Sequence, residues 1–204
     1  MRSHTDDDLP GRCPRCWIVR GHCVCAHVPR VETRVDVLVV RHRQESWKST
    51  NTVRIAALAL PRLAVVEYGL DLAATTAALE PLVEGGGVYL VYPSDSAAPW
   101  PAAPPRRLVF LDGTWRQTRR MLKKLPALAA LPRLALPDKP ADVIRLRRPT
   151  FAGGRSTLEA LADTLAAVGD VADADALGTL HARYVEQVLR ARGRWDAAHG
   201  VAPL

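Results

Sequence analysis

The sequence predicts an α/β fold in which a mostly parallel sheet carries helices on both faces. Short apolar or β-branched segments alternate along the chain with helical segments, and this alternation is typical of parallel sheets. The length of 204 residues allows one large core and a small appendage, and 48% hydrophobic with 24% charged residues is a globular balance. No apolar run of about 18 residues and no secretory signal is present, so we expect a cytoplasmic protein.

Four segments have the character of strands, because each is short, rich in aliphatic or β-branched residues and bounded by turn residues. They are residues 34–41, 63–68, 88–93 and 106–112. Ligands of open parallel sheets bind outside the carboxyl ends of the strands. The residues that follow these four segments are therefore candidates for a site.

Helical segments separate and follow these strands. Residues 52–60 and 71–83 have helical patterns. Ser156 and Glu159 have the spacing of a capping box, which predicts that a further helix begins at this point. A last helix is expected from about residue 175 to residue 192.

All four cysteines fall within the stretch CPRCWIVRGHCVC, with the spacing C-x2-C-x6-C-x-C. In a reducing cytosol, clustered thiols of this spacing favour a tetrahedral Zn²⁺ site over disulfides. Four protein ligands leave no open position, so the ion would be structural. His22 and His27 lie close enough to replace one thiolate, and unligated thiols in a short arm are the alternative. The predicted ligands are Cys13, Cys16, Cys23 and Cys25.

The net charge is +7, and only four of the 28 basic residues are lysines. An excess of this size attracts polyanions, and arginine forms bidentate contacts with phosphate. The base composition of the genome would explain the ratio of arginine to lysine, but it leaves the net charge unexplained. The charge therefore favours a nucleic-acid partner.

The segment LDGTWRQTRRML, residues 111–122, passes from a buried strand into a strongly basic helix. Asp112 and Gly113 are expected to form the turn, and Thr114 is expected to cap a helix that begins near Trp115. Asp112 therefore lies where a ligand site is expected in a parallel sheet.

This predicted helix has one apolar face and one cationic face. The cationic face carries no acidic residue, so its charges repel one another unless an anion lies against them. A merely solvated face usually mixes the two signs, and we therefore interpret this one as a phosphate contact. The apolar face contains Trp115, Thr118, Leu122 and Leu125, with Met121 at its edge. The cationic face contains Arg116, Arg119, Arg120, Lys123 and Lys124.

Two other turns also place polar side chains beside the ends of predicted strands. The segment VYPSDS places Pro93, Ser94 and Asp95 just after Tyr92 at the end of the third strand, and residues 50–52 (Thr-Asn-Thr) lead from the first strand into a helix. Hydroxyl and amide groups at such positions hold ribose, carboxylate or phosphate groups. The same residue types are common helix caps, so capping is the preferred interpretation for Ser94 or Thr50 taken alone.

Taken together, these motifs resemble the DTW-domain proteins, a family of tRNA-uridine aminocarboxypropyltransferases. They follow the family order across residues 13–160, which is most of the chain, and five motifs in register make a specific match. The family's usual His-Pro is replaced here by His42-Arg43. The matching motifs are the cysteine segment, H-x-x-E and TNT within 42–52, YPS at 92–94, LDGTW at 111–115 and STLEA at 156–160.

The resemblance implies S-adenosylmethionine (SAM) as the donor of a 3-amino-3-carboxypropyl group to N3 of a tRNA uridine. It also implies a fold related to the knotted SPOUT methyltransferases, with residues 1–30 as a small zinc-binding arm and residues 31–204 as the catalytic domain. N3 is a poor nucleophile until its proton leaves, so a base is required, and Asp112 is the candidate. The sulfonium leaving group is already activated, so the displacement needs in-line positioning and neither a metal nor a second cofactor.

The resemblance and the strand-end positions together divide the other candidate residues between donor and tRNA. The alternative roles of Asp112 are to bind the donor's amino group or to orient Thr114. Core packing is at least as good an interpretation of Trp115 as stacking on a base, and Glu159 alternatively only caps its helix. The predicted donor site contains Tyr92, Pro93, Ser94, Leu111, Thr114, Trp115, Ser156, Thr157 and Glu159. The predicted tRNA site contains His42, Glu45, Thr50, Asn51, Thr52, Arg116, Arg119, Arg120 and Lys123.

Arginines also surround the glycine-containing loop that leads into the helix at residue 156. Phosphate or the donor's α-carboxylate would suit these guanidinium groups, and plain solvation at the surface is the alternative. These residues are Arg145, Arg147, Arg148 and Arg155.

Two other functions are compatible with the same sequence. A methyltransferase of the SPOUT class would use the same donor and an RNA substrate but transfer the methyl group. A noncatalytic zinc-ribbon protein would bind RNA without binding any donor.

Overall fold

The computed structural model describes residues 11–137, 144–146 and 154–195, and its centre is a five-stranded sheet. The strand order is β2-β1-β4-β3-β5 and every neighbouring pair is parallel, which confirms the predicted parallel sheet. β5 was not predicted, because a strand of two residues has no detectable periodicity. The strands are β1 (Asp36–His42), β2 (Leu63–Tyr68), β3 (Val88–Val91), β4 (Arg107–Asp112) and β5 (Arg133–Leu134).

Seven α-helices lie in the part of the chain that the structure describes. The predicted caps Thr114 and Ser156 are confirmed, each with its capping-box partner, Gln117 and Glu159 respectively. The last helix begins four residues earlier than predicted, and the two four-residue helices are too short for the sequence pattern to reveal. The helices are α1 (Arg43–Ser46), α2 (Thr52–Ala59), α3 (Leu72–Val83), α4 (Trp115–Lys124), α5 (Pro126–Ala129), α6 (Thr157–Ala167) and α7 (Val171–Ala191).

Helices cover both faces of the sheet and create two cores. Alternate strand residues point to opposite faces, so Val39 and Phe110 pack on one side and Val40 and Val109 on the other. α2, α6 and α7 cover the first side, and α3, α4 and α5 cover the second. Both faces of the central strands are therefore buried, which explains why the middle residues of β1 and β4 are all apolar. Among the described helices, none combines the length and apolar character needed to cross a membrane.

The cysteine segment packs into the first of these two cores. Cys16, Ile18 and Val24 are buried in the same cluster as β1, β4 and α7. The Trp17 indole lies 3.4 Å from the guanidinium carbon of Arg54 in α2, measured to the ring centre. The segment is thus attached to the helices that cover this face, and residues 1–10 of the predicted arm lie outside the described residues.

The loop between β3 and β4 runs beside the edge strand β5. Ala98 forms a parallel bridge with Leu134, and the Trp100 indole N–H donates to the carbonyl of Ala135 at 3.0 Å. The end of β3, this loop and β5 therefore lie side by side at one edge of the sheet.

Candidate active site

Three segments that are distant in sequence meet at Asp112, the last residue of β4. Asp112 Oδ2 accepts a hydrogen bond from Asn51 Nδ2 at 2.6 Å, and Oδ1 accepts one from Thr157 Oγ1 at 2.7 Å. β4 lies between β1 and β3, so this cluster occupies the middle of the sheet's carboxyl edge. The residues around Asp112, Asn51 and Thr157 therefore converge, although they belong to three of the sequence motifs.

The surroundings of Asp112 make its carboxylate more basic than an ordinary aspartate. Its side chain is only 7% exposed, and this burial raises its pKa. The hydrogen bonds from Thr157 and Asn51 oppose the rise, and the nearby charge of Glu45 adds to it. Desolvation is the largest of these effects, and it suits a carboxylate that has to accept a proton.

Asp112 also connects the N-termini of two helices. Asn51 caps α2, because its Oδ1 accepts from the backbone N–H of Arg54 at 3.1 Å, while its amide donates to Asp112. Thr157 is the first residue of α6. The preference for Thr50 as a cap is wrong, because the side chain of its neighbour Asn51 occupies that role. Two positive helix ends near the carboxylate favour its ionised form.

His42 and Glu45 organise the segment between β1 and α2. His42 caps α1, since its Nδ1 accepts from the backbone N–H of Gln44 at 3.2 Å, and burial lowers its pKa. Glu45 is buried and forms an ion pair with Lys48. Both side chains thus have local partners, and their predicted contact with tRNA stays a prediction.

A cavity of about 520 Å³ opens beside the ends of β3 and β5. Tyr92 stacks on Trp115 there, with ring centres 5.2 Å apart and planes 4° from parallel. The Tyr92 hydroxyl lies 3.3 Å from Thr118 Oγ1, which fixes the ring against α4. We call this the Tyr92 pocket, and its lining residues are Tyr92, Pro93, Ser94, Asp95, Ser96, Trp115, Arg119, Leu122, Lys123 and Arg133.

α4 presents the predicted cationic face to solvent. Its five cationic residues are exposed, and none pairs with a carboxylate of the described residues. Thr118 and Met121 are buried on the opposite side, so Met121 lies at the centre of the apolar face rather than at its edge. Two of the cations, Arg119 and Lys123, also line the Tyr92 pocket.

A second cavity, of about 1120 Å³, is lined by α6 and α7 together with His27 and Pro29. Glu159 and His181 line it, and the His181 Nε2 atom lies 3.1 Å from Ser156 Oγ and 3.7 Å from Glu159 Oε2. Arg145 Nε pairs with Glu159 Oε1 at 3.1 Å. His181 was missed because no motif of the sequence marks α7, and its position beside Ser156 is visible only in three dimensions.

Two of the arginines that flank the loop before α6 have carboxylate partners within the protein. Arg145 pairs with Glu159, and Arg155 Nε lies 2.6 Å from Asp163 Oδ2. Arg147 and Arg148 lie outside the described residues.

The structure divides the predicted site residues among three neighbouring places. Asp112 joins Asn51 and Thr157, the Tyr92 pocket contains Trp115 with Arg119 and Lys123, and the larger cavity contains Glu159. Asp112 is not among the described residues that line either cavity. Leu111 packs in the core under α4, and Thr114 is exposed and caps the same helix.

Four residues that line the Tyr92 pocket were not among the predicted site residues: Asp95, Ser96, Leu122 and Arg133. Asp95 and Ser96 belong to the strand-end turn VYPSDS, in which neither received a role, and Leu122 was assigned only to the apolar face of the helix. Arg133 carries no such signal, because β5 is too short to be recognised from its sequence.

The four cysteine thiols form a cluster suited to a metal ion. Their sulfur atoms all lie within 4.8 Å of one another, with Cys13 and Cys25 at 3.6 Å and Cys16 and Cys23 at 3.7 Å. A tetrahedral site with Zn–S distances of about 2.3 Å has S–S edges of about 3.8 Å, which agrees with both separations. His22 is hydrogen-bonded to Gln187 at 3.0 Å instead. The cluster can therefore hold a metal ion with four sulfur ligands, as a structural zinc site requires.

The observed architecture is that of a parallel α/β protein with a four-cysteine segment and a polar cluster at the carboxyl edge of its sheet. The DTW domain model matches residues 11–189, and the chain belongs to this family. A relative from Drosophila melanogaster, tRNA-uridine aminocarboxypropyltransferase 2, is 29% identical over 171 residues, which cover 78% of this chain and 68% of the relative. No solved structure matches the chain.

Proposed function

We propose that this protein is a tRNA-uridine aminocarboxypropyltransferase that uses SAM as the donor and modifies N3 of a uridine. Membership of the DTW domain family and the activity in the name of the Drosophila relative support this proposal. The structural observation that carries it is the buried carboxylate of Asp112 at the carboxyl edge of the sheet, held by the N-terminal residues of two helices. We further propose that the fold is related to the knotted SPOUT methyltransferases.

In this proposal Asp112 accepts the proton from N3 of the uridine. The bond between N3 and the donor's γ-carbon forms as the bond between that carbon and sulfur breaks, and the electron pair remains on sulfur. The products are the modified uridine, 5′-methylthioadenosine and a protonated Asp112. Asn51 and Thr157 hold the carboxylate in place, so little reorganisation is needed when the proton moves.

The donor is proposed to lie along the ends of β3 and β4. Tyr92, Pro93 and Ser94 line the Tyr92 pocket with Trp115, and Leu111 and Thr114 belong to the adjoining turn. The predicted donor contacts at Ser156, Thr157 and Glu159 lie on the other side of Asp112, at the start of α6. We propose that the donor spans these two groups, the second of which includes Thr157, a direct hydrogen-bond partner of Asp112.

The four cysteines would hold a structural Zn²⁺ in this proposal. The ion would supply a fixed crosslink between Cys13, Cys16, Cys23 and Cys25 and would take no part in the transfer. The segment would thereby hold Trp17 against Arg54, whose guanidinium donates to the carbonyls of Ser46 and Lys48 in the segment before Asn51.

The nature of the modified nucleoside tests the proposed reaction. The purified protein is incubated with SAM and unmodified tRNA, and the nucleosides are analysed by mass spectrometry. We expect a uridine that has gained the mass of a 3-amino-3-carboxypropyl group, together with 5′-methylthioadenosine. A gain of one methyl group would instead identify a methyltransferase, and no donor binding in calorimetry would identify a noncatalytic RNA-binding protein.

The cationic face of α4 is proposed to contact tRNA phosphates. Replacing Arg119 and Arg120 together by Ala is expected to weaken tRNA binding and to reduce the slope of log K against log salt by about 1 to 2, because two phosphate contacts are lost. Binding measured at several salt concentrations checks this prediction.

The matched control for this experiment removes two positive charges elsewhere. Arg30 and Arg34 precede β1 at the opposite edge of the sheet, and their side chains are 77% and 81% exposed. Their double replacement by Ala should leave the salt slope close to that of the unaltered protein. Equal slopes for the two double variants would show that α4 is ordinary surface.

A further inference from the structure

The Tyr92 pocket contains charges of both signs. Two of its charged residues, Asp95 and Arg133, have no role in the proposed function so far. Asp95 and Ser96 lie just beyond the end of β3, and Arg133 lies on the neighbouring strand β5. Ser94 Oγ and Ser96 Oγ are 3.2 Å apart and add hydroxyl groups beside Asp95. The pocket therefore offers a cation, a carboxylate and hydroxyls to one ligand.

Arg133 is available for an anion. It is half-buried, and its guanidinium carbon lies 5.9 Å from the ring centre of Tyr92, which orients it at the pocket. Within residues 11–137, 144–146 and 154–195, no carboxylate forms an ion pair with it. Arg145 and Arg155, the earlier candidates for the donor's carboxylate, are already paired with carboxylates of α6.

We propose that the Tyr92 pocket binds the amino-acid end of SAM, with Arg133 on the carboxylate and Asp95 on the ammonium group. This inference rests on the proposed function. A guanidinium forms two parallel hydrogen bonds with a carboxylate, and the opposite charge of Asp95 matches the ammonium group beside it. An RNA phosphate would leave Asp95 without a role, and the salt dependence of tRNA binding distinguishes this ligand from SAM.

The assignment also concerns which carbon of the donor reacts. In aminocarboxypropyl transfer the moving group itself carries the carboxylate and the ammonium group. A pocket that holds both charges therefore fixes the γ-carbon that N3 attacks while the bond from that carbon to sulfur breaks. Arg119 and Lys123 line the same pocket from the exposed face of α4, where they would continue the tRNA surface.

Replacing Arg133 by Gln tests this assignment by calorimetry with two ligands. SAM carries the amino-acid end, whereas 5′-methylthioadenosine lacks it. We expect SAM to bind about 10- to 100-fold more weakly to R133Q, the range for losing charge-assisted hydrogen bonds, while the affinity for 5′-methylthioadenosine stays unchanged. Arg133→Lys should bind SAM with an intermediate affinity, because the charge is kept but the bidentate geometry is lost.

Two further variants complete the experiment. Arg30→Gln removes an equally charged residue from the exposed surface before β1, and both affinities should remain unchanged. Asp95→Asn should weaken the binding of SAM but not the binding of 5′-methylthioadenosine. It provides a second test if circular dichroism shows that R133Q is unfolded.

The assignment is overturned when Arg133→Gln and Asp95→Asn both weaken the binding of SAM and of 5′-methylthioadenosine equally. It is overturned likewise when both variants leave the two affinities unchanged. It is also overturned when Arg133→Gln lowers tRNA affinity and its salt slope while SAM binding is unaltered, since Arg133 would then contact phosphate. Failure of the proposed function itself looks different, because the unaltered protein would then bind no SAM or would yield a methylated uridine.

Discussion

Replacing Asp112 by Asn is expected to reduce the turnover of tRNA by about 100- to 10,000-fold, the usual contribution of a general base, while the chain stays folded. Asparagine has the same shape, so its carbonyl oxygen can accept from Asn51 and its amide can donate to the Thr157 hydroxyl. The contacts are kept and only the proton acceptor is lost. Single-turnover rates at saturating SAM and tRNA check this prediction.

The matched control is Asp175→Asn, an exposed aspartate on α7, which should retain normal turnover. Near-normal turnover of Asp112→Asn, with its fold intact, would remove Asp112 from the role of base. Loss of tRNA or SAM affinity equal to the loss of rate would instead assign it to binding.

The raised pKa of Asp112 sets the direction of the pH dependence. A base works only when ionised, so kcat/KM should fall as the pH drops through this raised pKa, at a higher pH than for an ordinary aspartate. The free energy of unfolding should depend on pH in the opposite direction to kcat/KM. Because the folded-state pKa exceeds the unfolded one, the free energy of unfolding declines as the pH rises from the unfolded to the folded pKa. The Asp112→Asn variant should lack the part of this decline in unfolding free energy that the ionisation of Asp112 causes.

Removing the metal that the four cysteines are proposed to hold is expected to unfold the protein. Structural zinc sites contribute an apparent free energy of about 10 to 16 kcal/mol, which is as large as the whole stability of a typical domain, about 5 to 15 kcal/mol. Cys16 is 1% exposed in the core shared with α7, so the loss cannot remain local. Thermal unfolding and metal content, measured with and without a strong chelator, check this prediction.

Single substitutions test whether the metal is held by the four thiols alone or also by the neighbouring imidazole of His27. Cys16→Ser should lose the bound metal and most of the thermal stability, because a serine hydroxyl is a poor zinc ligand. His27→Ala, which alters an exposed side chain next to the cluster, should keep both. The opposite pattern would show that His27 is a ligand and that the four-sulfur site is wrong.

Much of the fold follows from local patterns in the chain. The middle residues of β1 and β4 are apolar because helices cover both faces of the sheet, and the caps Thr114 and Ser156 act through neighbours only three residues away. β5 and the short helices α1 and α5 escaped prediction, because two to four residues form no period.

The candidate site was predictable in its position and less so in its contacts. The rule that ligands bind at the carboxyl ends of parallel strands singled out Asp112 and Tyr92, and the structure has both at that edge of the sheet. The partners of Asp112 could not be read from the chain, because Asn51 and Thr157 are 61 and 45 residues away. His181 and Arg133 lie on elements that carry no motif, so only the packing of the chain shows them beside the site.

The three-way junction at Asp112 has a consequence for how the protein folds. Its partners belong to segments before and after β4, and β4 itself pairs with the much earlier strand β1. Closing such long loops costs entropy before any contact rewards it, so chains of this kind fold slowly. A chain that is still being synthesised lacks Thr157, and the rest of α6, until translation has passed these residues. The junction, and with it the proposed proton-accepting site, can therefore form only after α6 has been synthesised.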